Sequence, residues 1–191
     1  MELLILGMVI WSGAHLLPVA LPDLRNQMAA KVGEMPYKGI FSLVILSSVA
    51  FIIFGWRSIE SVTPLYDIYD YTIFPALFMM LGGLVLMVSA LTPNNFKRVI
   101  RHPQLMGFAL WAFSHVLING ELRTTILFGG FSAWALLSIV LINKRDGAFD
   151  RPEPVLPHHG VMTAAIAFVL FIAVVLGHEY LSGVDLKIKH Q

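Results

Sequence analysis

Six apolar runs, at about 2–21, 39–58, 71–91, 104–119, 122–142 and 161–182, constrain this chain more than any motif within it. Each approaches the ~20 residues that a helix needs to cross a bilayer. Lipid offers the backbone no hydrogen-bonding partner, so each apolar crossing segment is expected to satisfy its backbone internally, as a helix does. The expected fold class is therefore all-α, a polytopic membrane helix bundle of about six transmembrane helices, with residues 1–191 as a single transmembrane domain. The run 104–119 is the shortest. Met1-Glu2-Leu3-Leu4-Ile5 lacks the basic lead-in of a signal peptide and reads as the start of a retained helix.

Charge supports the same reading. Only 13% of residues are charged, against about 25% in soluble domains. A net charge of +1 gives no electrostatic case for nucleic acid. The absence of cysteine removes disulfides, thiolate metal sites and cysteine nucleophiles. Nine of the thirteen basic residues fall in three connections: Arg25, Lys31 and Lys38; Lys97, Arg98 and Arg101; Lys144, Arg145 and Arg151. The remaining four are Arg57, Arg123, Lys187 and Lys189. By the positive-inside rule the three rich connections face the cytoplasm and both termini are non-cytoplasmic.

Local signals are mostly structural. Gly33 to Gly39 reads as a turn leading into the second run, and Pro64 breaks the chain before the third. Pro75 is expected near the start of the third run. Gly82-Gly83 and Gly129-Gly130 are expected to let helices approach closely. Arg151-Pro152-Glu153-Pro154-Val155-Leu156-Pro157 reads as a stiff extended linker.

Chemistry concentrates in the stretch from Arg101 to Gly120. His102-Pro103 opens a helix, Asn119-Gly120 suits a left-handed stop, and His115 lies within. At 100° per residue, Phe108, Trp111, Ala112 and Asn119 share the His115 face. The first run carries a matching element: Trp11 precedes His15 by four residues, as Trp111 precedes His115. Met8 and Ser12 share the His15 face. An ionisable group in hydrocarbon is a functional candidate by default. Two roles stand open for His15 and His115: a neutral ring donating to a backbone carbonyl on a neighbouring helix, or a metal ligand. His102, beside Arg101, reads as an interfacial residue. His178 lies near an outer helix end, His158-His159 in the proline-rich connection and His190 in the tail. Imidazole suits iron, copper and zinc alike. No H-E-x-x-H helix points to a zinc hydrolase, and no Ser, His and acid stand at a recognisable triad spacing. Haem needs one or two axial imidazoles and an apolar, aromatic slot, which matches these surroundings better.

The chain resembles the NnrU family of bacterial membrane proteins, whose relatives include plant ζ-carotene isomerase. The likeness runs through Gly33-Glu34-x-Pro36-x-Lys38-Gly39 with Ser42-Leu43-Val44, then His102-Pro103-x-x-x-Gly107 and Leu110-Trp111-Ala112. It continues through His115-x-Leu117-x-Asn119-Gly120, Leu127-Phe128-Gly129 and His178-x-x-x-x-Gly183-Val184. After His15 the chain has Leu16-Leu17-Pro18 where members of the family often have Ser and a basic residue. The resemblance implies a multi-pass protein of the bacterial inner membrane that binds haem b through axial histidines, at His15 and His115. It places the protein in nitrite and nitric oxide metabolism or in a haem-dependent redox or isomerase reaction on a lipophilic substrate. Expected partners are membrane lipid, a lipophilic or nitrogen-oxide ligand, and a second copy or a nitrogen-oxide enzyme.

The candidate cofactor-binding set is thus His15, His115, Trp11, Phe108, Trp111, Ser12, Asn119, His102 and Arg101, with Ser12 and Asn119 as orienting groups for the two rings. Depth raises a difficulty. At 1.5 Å per residue, His15 lies roughly 9 Å and His115 roughly 18 Å from the cytoplasmic ends of their helices. The alternative pairs His15 with His102 and His115 with His178. Two other functions compete: a non-catalytic haem relay or assembly partner, and an enzyme similar to the isoprenylcysteine carboxyl methyltransferases, whose cofactor-binding region Arg101-His102-Pro103-x-x-x-Gly107 resembles.

Overall fold

The computed structural model describes residues 1–61 and 63–183. The elements run α1 (Glu2–Ala20), α2 (Pro22–Val32), α3 (Glu34–Arg57), α4 (Tyr69–Leu91), a 3-10 turn (Phe96–Arg98) and α5 (Pro103–Asn119). A short α6 (Leu122–Thr124) passes through a π turn (Thr125–Gly129) into α7 (Gly130–Asp146), followed by α8 (His158–Leu176) and α9 (His178–Ser182). Five helical stretches are long and apolar enough to cross a membrane: Glu2–Ala20, Glu34–Arg57, Tyr71–Leu91, Leu122–Asp146 and His158–Leu176. The protein is a polytopic helical membrane protein.

The fourth apolar run, 104–119, departs from expectation. It forms α5, whose 17 residues span about 25 Å, short of the ~30 Å hydrocarbon layer. Its far end stops inside protein. Gly120 takes the left-handed conformation at φ 61°, and its carbonyl accepts the Leu65 amide at 2.7 Å. The terminal carbonyls of α5 are covered by side chains: Tyr66 Oη donates to Val116, Thr72 Oγ1 to Leu117 at 3.2 Å, and Asn119 Nδ2 to His115 at 2.7 Å. Helix ends leave such carbonyls unsatisfied, and here Tyr66 of the preceding connection, Thr72 in the first turn of α4 and Asn119 of α5 itself supply the donors that water would otherwise provide.

Other boundaries also moved. Residues 22–38 are helical apart from a break at Gly33, whose φ of 90° sets the turn between α2 and α3. Pro36 therefore sits in the first turn of α3, where its missing N–H costs nothing. Because α4 begins at Tyr69, Pro75 lies inside that helix. The last run breaks at Gly177, and His158-His159 open α8 instead of lying in a loop. His190 and Val184 lie outside the described residues.

Neighbouring contacts run α3–α1–α7–α5–α4–α8, so the two helices bearing the Trp-x-x-x-His pattern flank α7. Helices approach through glycine. A Cβ on Gly7 would lie 2.8 Å from the Ser48 carbonyl oxygen and the Ile52 amide of α3, and one on Gly83 2.7 Å from the Gly107 carbonyl oxygen of α5. Gly83 meets the expectation of close backbone approach, whereas Gly130 meets only the end of the Met8 side chain at 2.7 Å, Gly82 nothing and Gly129 only Thr125 at 4.0 Å. The interior is small and polar: Ala76, Ala112, Ala135, Ser48, Ser89 and Ser114 are fully buried. Ser48, Ser89 and Ser114 each return their hydroxyl to a carbonyl of their own helix at 2.7 Å. Leu43, Phe74, Phe78 and Leu176 are 67–77% exposed. In lipid, small residues draw helices together and large apolar ones face outward, which is the arrangement found.

Helix directions sort the charges. Leu4 of α1 meets Gly55 near the end of α3, Met8 meets Gly130 at the start of α7, and Thr92 beyond α4 meets Thr163 near the start of α8. Those contacts gather the three basic connections at one end of the bundle. Arg57, Arg123, Glu60 and Glu121 lie at the other. Although short, α5 runs between the same two ends.

Candidate functional site

The repeated Trp-x-x-x-His pattern forms the same local structure twice. His15 Nδ1 donates to the Trp11 carbonyl at 2.9 Å, and His115 Nδ1 donates to the Trp111 carbonyl at 2.8 Å. A carbonyl can only accept, so each ring carries its proton on Nδ1 and its lone pair on Nε2. This is the tautomer in which a metal-ligating histidine is held, its other nitrogen bound to a backbone carbonyl. The helix itself supplies the acceptor. Ser12 and Asn119, the expected orienting groups, do not fill that role: Asn119 donates to the His115 backbone carbonyl, and Nδ1 of each ring goes to tryptophan.

A further glycine extends the match. Gly7-x-x-x-Trp11-x-x-x-His15 and Gly107-x-x-x-Trp111-x-x-x-His115 are the same register. In each copy the glycine seats the helix against its hairpin partner, α3 for Gly7 and α4 for Gly107. The Trp and His rings then turn progressively toward α7, about 40° per step of four residues.

Between the two copies, α7 and the π turn insert a stripe of Phe128, Phe131 and Trp134. Trp11 contacts His15, Phe131 and Trp134 with ring centroids 4.4, 5.6 and 5.8 Å apart. His15 contacts Trp134 at 5.2 Å and Phe41 of α3 at 5.6 Å. Phe108 bridges to Phe131, Trp134 and Trp111 at 5.4, 5.6 and 5.2 Å. Trp111 lies 4.9 Å from His115, and His115 stacks on Phe128 at 4.4 Å and 24°. An unbroken aromatic layer therefore connects the imidazoles. Within it the Trp11 and Trp134 indole nitrogens are buried without an acceptor. Phe41, Phe131 and Trp134 were not singled out in the sequence, and Phe128 only within Leu127-Phe128-Gly129, although the i, i+3, i+6 aromatic stripe over Phe128, Phe131 and Trp134 was there to be read.

The two rings stand at different depths. His15 lies beside Trp134 and His115 on Phe128, six residues apart in chain order, which is roughly 9 Å along the axis at 1.5 Å per residue. Each imidazole alone fits an axial ligand to haem iron in tautomer and apolar surroundings. As a pair across one iron they do not fit in this arrangement, because Trp134, Phe131 and Phe108 occupy the space between them. Among the described residues no group of three or more His, Asp or Glu gathers as a metal site.

The other candidates lie elsewhere. His102 caps the start of α5 and meets Asn143 Oδ1 at 2.9 Å through Nε2. It is thirteen residues, or about 20 Å of helix, from His115. Asn143 is nine residues beyond Trp134, so His102 is also remote from His15. Arg101 donates Nη1 to the Gly147 carbonyl at 2.6 Å. With Lys97, Arg101 and His102 line a cavity of about 380 Å³ at the basic end. His178, in α9, belongs to the opposite end, the end that holds His115, and its Nδ1 is 3.1 Å from Ser182 Oγ.

Comparison with known proteins places the chain. A search of curated proteins and a search of solved structures return no significant match. The family model described as NnrU protein matches residues 3–186, nearly the whole chain. On that match, the chain belongs to the NnrU family.

Proposed function

We propose that this NnrU-family protein is a membrane haem b protein of nitrogen-oxide metabolism in the bacterial inner membrane, with His15 and His115 as the ligating imidazoles. The observation that carries the reading is the duplicated unit in which a tryptophan carbonyl holds each ring in the Nδ1–H tautomer within an aromatic layer. Haem, when bound, supplies redox and small-ligand chemistry that these side chains lack. The protein's own part is to hold two neutral imidazoles, wall the site with rings and exclude water. The cavity at the basic end stands about 20 Å of helix away, so the reading rests on the histidine units alone.

The stagger of the two rings makes stoichiometry informative. A 1:1 complex with low-spin bis-imidazole character requires α1 and α5 to shift by more than a helical turn against α7. Two haems per chain require no such shift between the helices. The test is the absorption spectrum of the detergent-purified protein, oxidised and dithionite-reduced, with haem counted per chain. Protein that takes up no haem even when haem is supplied refutes the reading.

A second reading, a non-catalytic relay, draws on the ring ladder, whose centroid spacings of 4.4–5.8 Å run without a gap from His15 to His115. Turnover with nitrite, nitric oxide or a polyene separates the two: catalysis supports the first, and reversible reduction without turnover supports the relay.

A further inference from the structure

At the basic end, the cavity of about 380 Å³ lies where α4 ends and α5 begins. Lys97, Arg101 and His102 form its polar wall, and Ala90, Leu105 and Phe149 its apolar wall. Two of the polar groups are held before any ligand arrives. The Arg101 guanidinium donates to the Gly147 carbonyl and lies over the Phe149 ring, 5.8 Å from its centroid. His102 is fixed on Asn143 at 2.9 Å. Lys97 forms no ion pair among the described residues. The carboxylate within electrostatic reach of Arg101 and His102 is Asp146, but Arg145 engages both of its oxygens, at 2.6 and 3.2 Å. The cavity thus presents two cations, Lys97 and Arg101, neither of them in an ion pair among the described residues, on a preformed frame.

Its rim is apolar. Leu91 and Val99, the chain neighbours of Ala90 and of the Lys97–Arg101 wall, are 83% and 82% exposed. A soluble anion has no use for such a rim. A phospholipid does: its phosphate enters among the cations while its acyl chains lie along Leu91, Val99 and the outer face of α4. Basic pockets between membrane helices are the usual seats of anionic headgroups, and the volume falls within the ~300–1,000 Å³ of small-ligand sites.

We propose that this cavity is a specific binding site for the phosphate headgroup of an anionic phospholipid, held by Lys97 and Arg101. The test uses the full chain in a non-ionic detergent, with bound lipid counted by native mass spectrometry and thermal stability measured against added lipid. Phosphatidylglycerol should bind and raise the melting temperature, and phosphatidylcholine should do neither. Lys97→Gln and Arg101→Gln should each weaken phosphatidylglycerol binding about fivefold, and the double variant about 25-fold, taking the usual contribution of a basic residue facing an anionic surface.

Lys97→Arg should bind as the native protein does. Lys144→Gln, which removes a charge from the same end but outside the cavity, should stay within twofold. Arg101 also ties the 147–149 segment, so Lys97→Gln, checked for native helicity, decides the matter if Arg101→Gln fails to fold. Equal binding of the two lipids, a folded Lys97→Gln that binds normally, or a Lys144→Gln loss equal to that of Lys97→Gln overturns the proposal. So does displacement of the lipid by millimolar inorganic phosphate, which would identify a free anion as the ligand.

Discussion

Gly82 and Gly83 are neighbours in α4, and alanine at the two positions should act with opposite signs. A Cβ at Gly82 meets nothing within 4 Å. The added methyl there only improves helix propensity, a gain of up to about 1 kcal/mol. A Cβ at Gly83 falls 2.7 Å from the Gly107 carbonyl oxygen and 3.3 Å from the Trp111 amide. Both are backbone atoms of α5 and cannot rotate aside. Carbon contacts are comfortable near 3.5 Å, so α5 must retreat by about 0.8 Å along the line to Gly107. Overpacking of this kind costs about 1–3 kcal/mol.

Gly107→Ala should behave as Gly83→Ala does, because its Cβ strikes the Gly83 carbonyl and comes within 2.9 Å of the Met87 amide. The assay is equilibrium unfolding in mixed micelles with increasing SDS, followed by far-ultraviolet circular dichroism. Equal midpoints for Gly82→Ala and Gly83→Ala, or a neutral Gly107→Ala, would refute the α4–α5 contact and with it the placement of Trp111 and His115.

Tyr66→Phe removes the donor to the Val116 carbonyl and should cost about 1–3 kcal/mol in the same unfolding assay, as expected when an acceptor in the protein interior loses its partner. His102→Ala breaks the Asn143 hydrogen bond and should lower stability by about 1 kcal/mol while leaving haem content unchanged; haem loss as complete as in His115→Ala would make His102 a ligand. Reporter fusions in the 92–103 connection should read cytoplasm, since nine of thirteen basic residues gather at that end; a periplasmic signal would invert the topology.

The spans were legible because lipid as a solvent leaves one solution for a long apolar run. Helix α2 was not, since its polar residues read as a loop. Its exposed Leu21, Leu24, Met28 and Val32 nevertheless recur at spacings of three and four, a helical stripe that a bilayer surface would stabilise. The end of α5 could be read from Asn119-Gly120, but not the donors that Tyr66, before α4, and Thr72, in its first turn, bring from a distant part of the chain. At the site, the paired Trp-x-x-x-His units were visible, and the partner of each ring was not. Side-chain orienters were expected, and the helix supplied its own carbonyl, because a ring four residues on already lies over it. The aromatic layer escaped because a helical wheel shows which residues share a face and not which neighbour that face meets. The depth mismatch between His15 and His115, by contrast, followed from counting residues and reappears as the six-residue stagger along α7.

The claim that His15 and His115 present Nε2 to iron is tested most directly by replacing each with alanine and restoring it chemically. His15→Ala and His115→Ala, loaded with haem in detergent, should each lose the Soret absorbance that rests on the replaced histidine: the whole band where one iron is shared, and one haem's part where each ring holds its own. Adding millimolar imidazole should restore it, since the removed ligand is replaced within a wall of Trp11, Trp134, Trp111 and Phe128 that remains in place. A native low-spin spectrum in either variant without added imidazole would contradict the assignment of that histidine and transfer the ligand role to another residue.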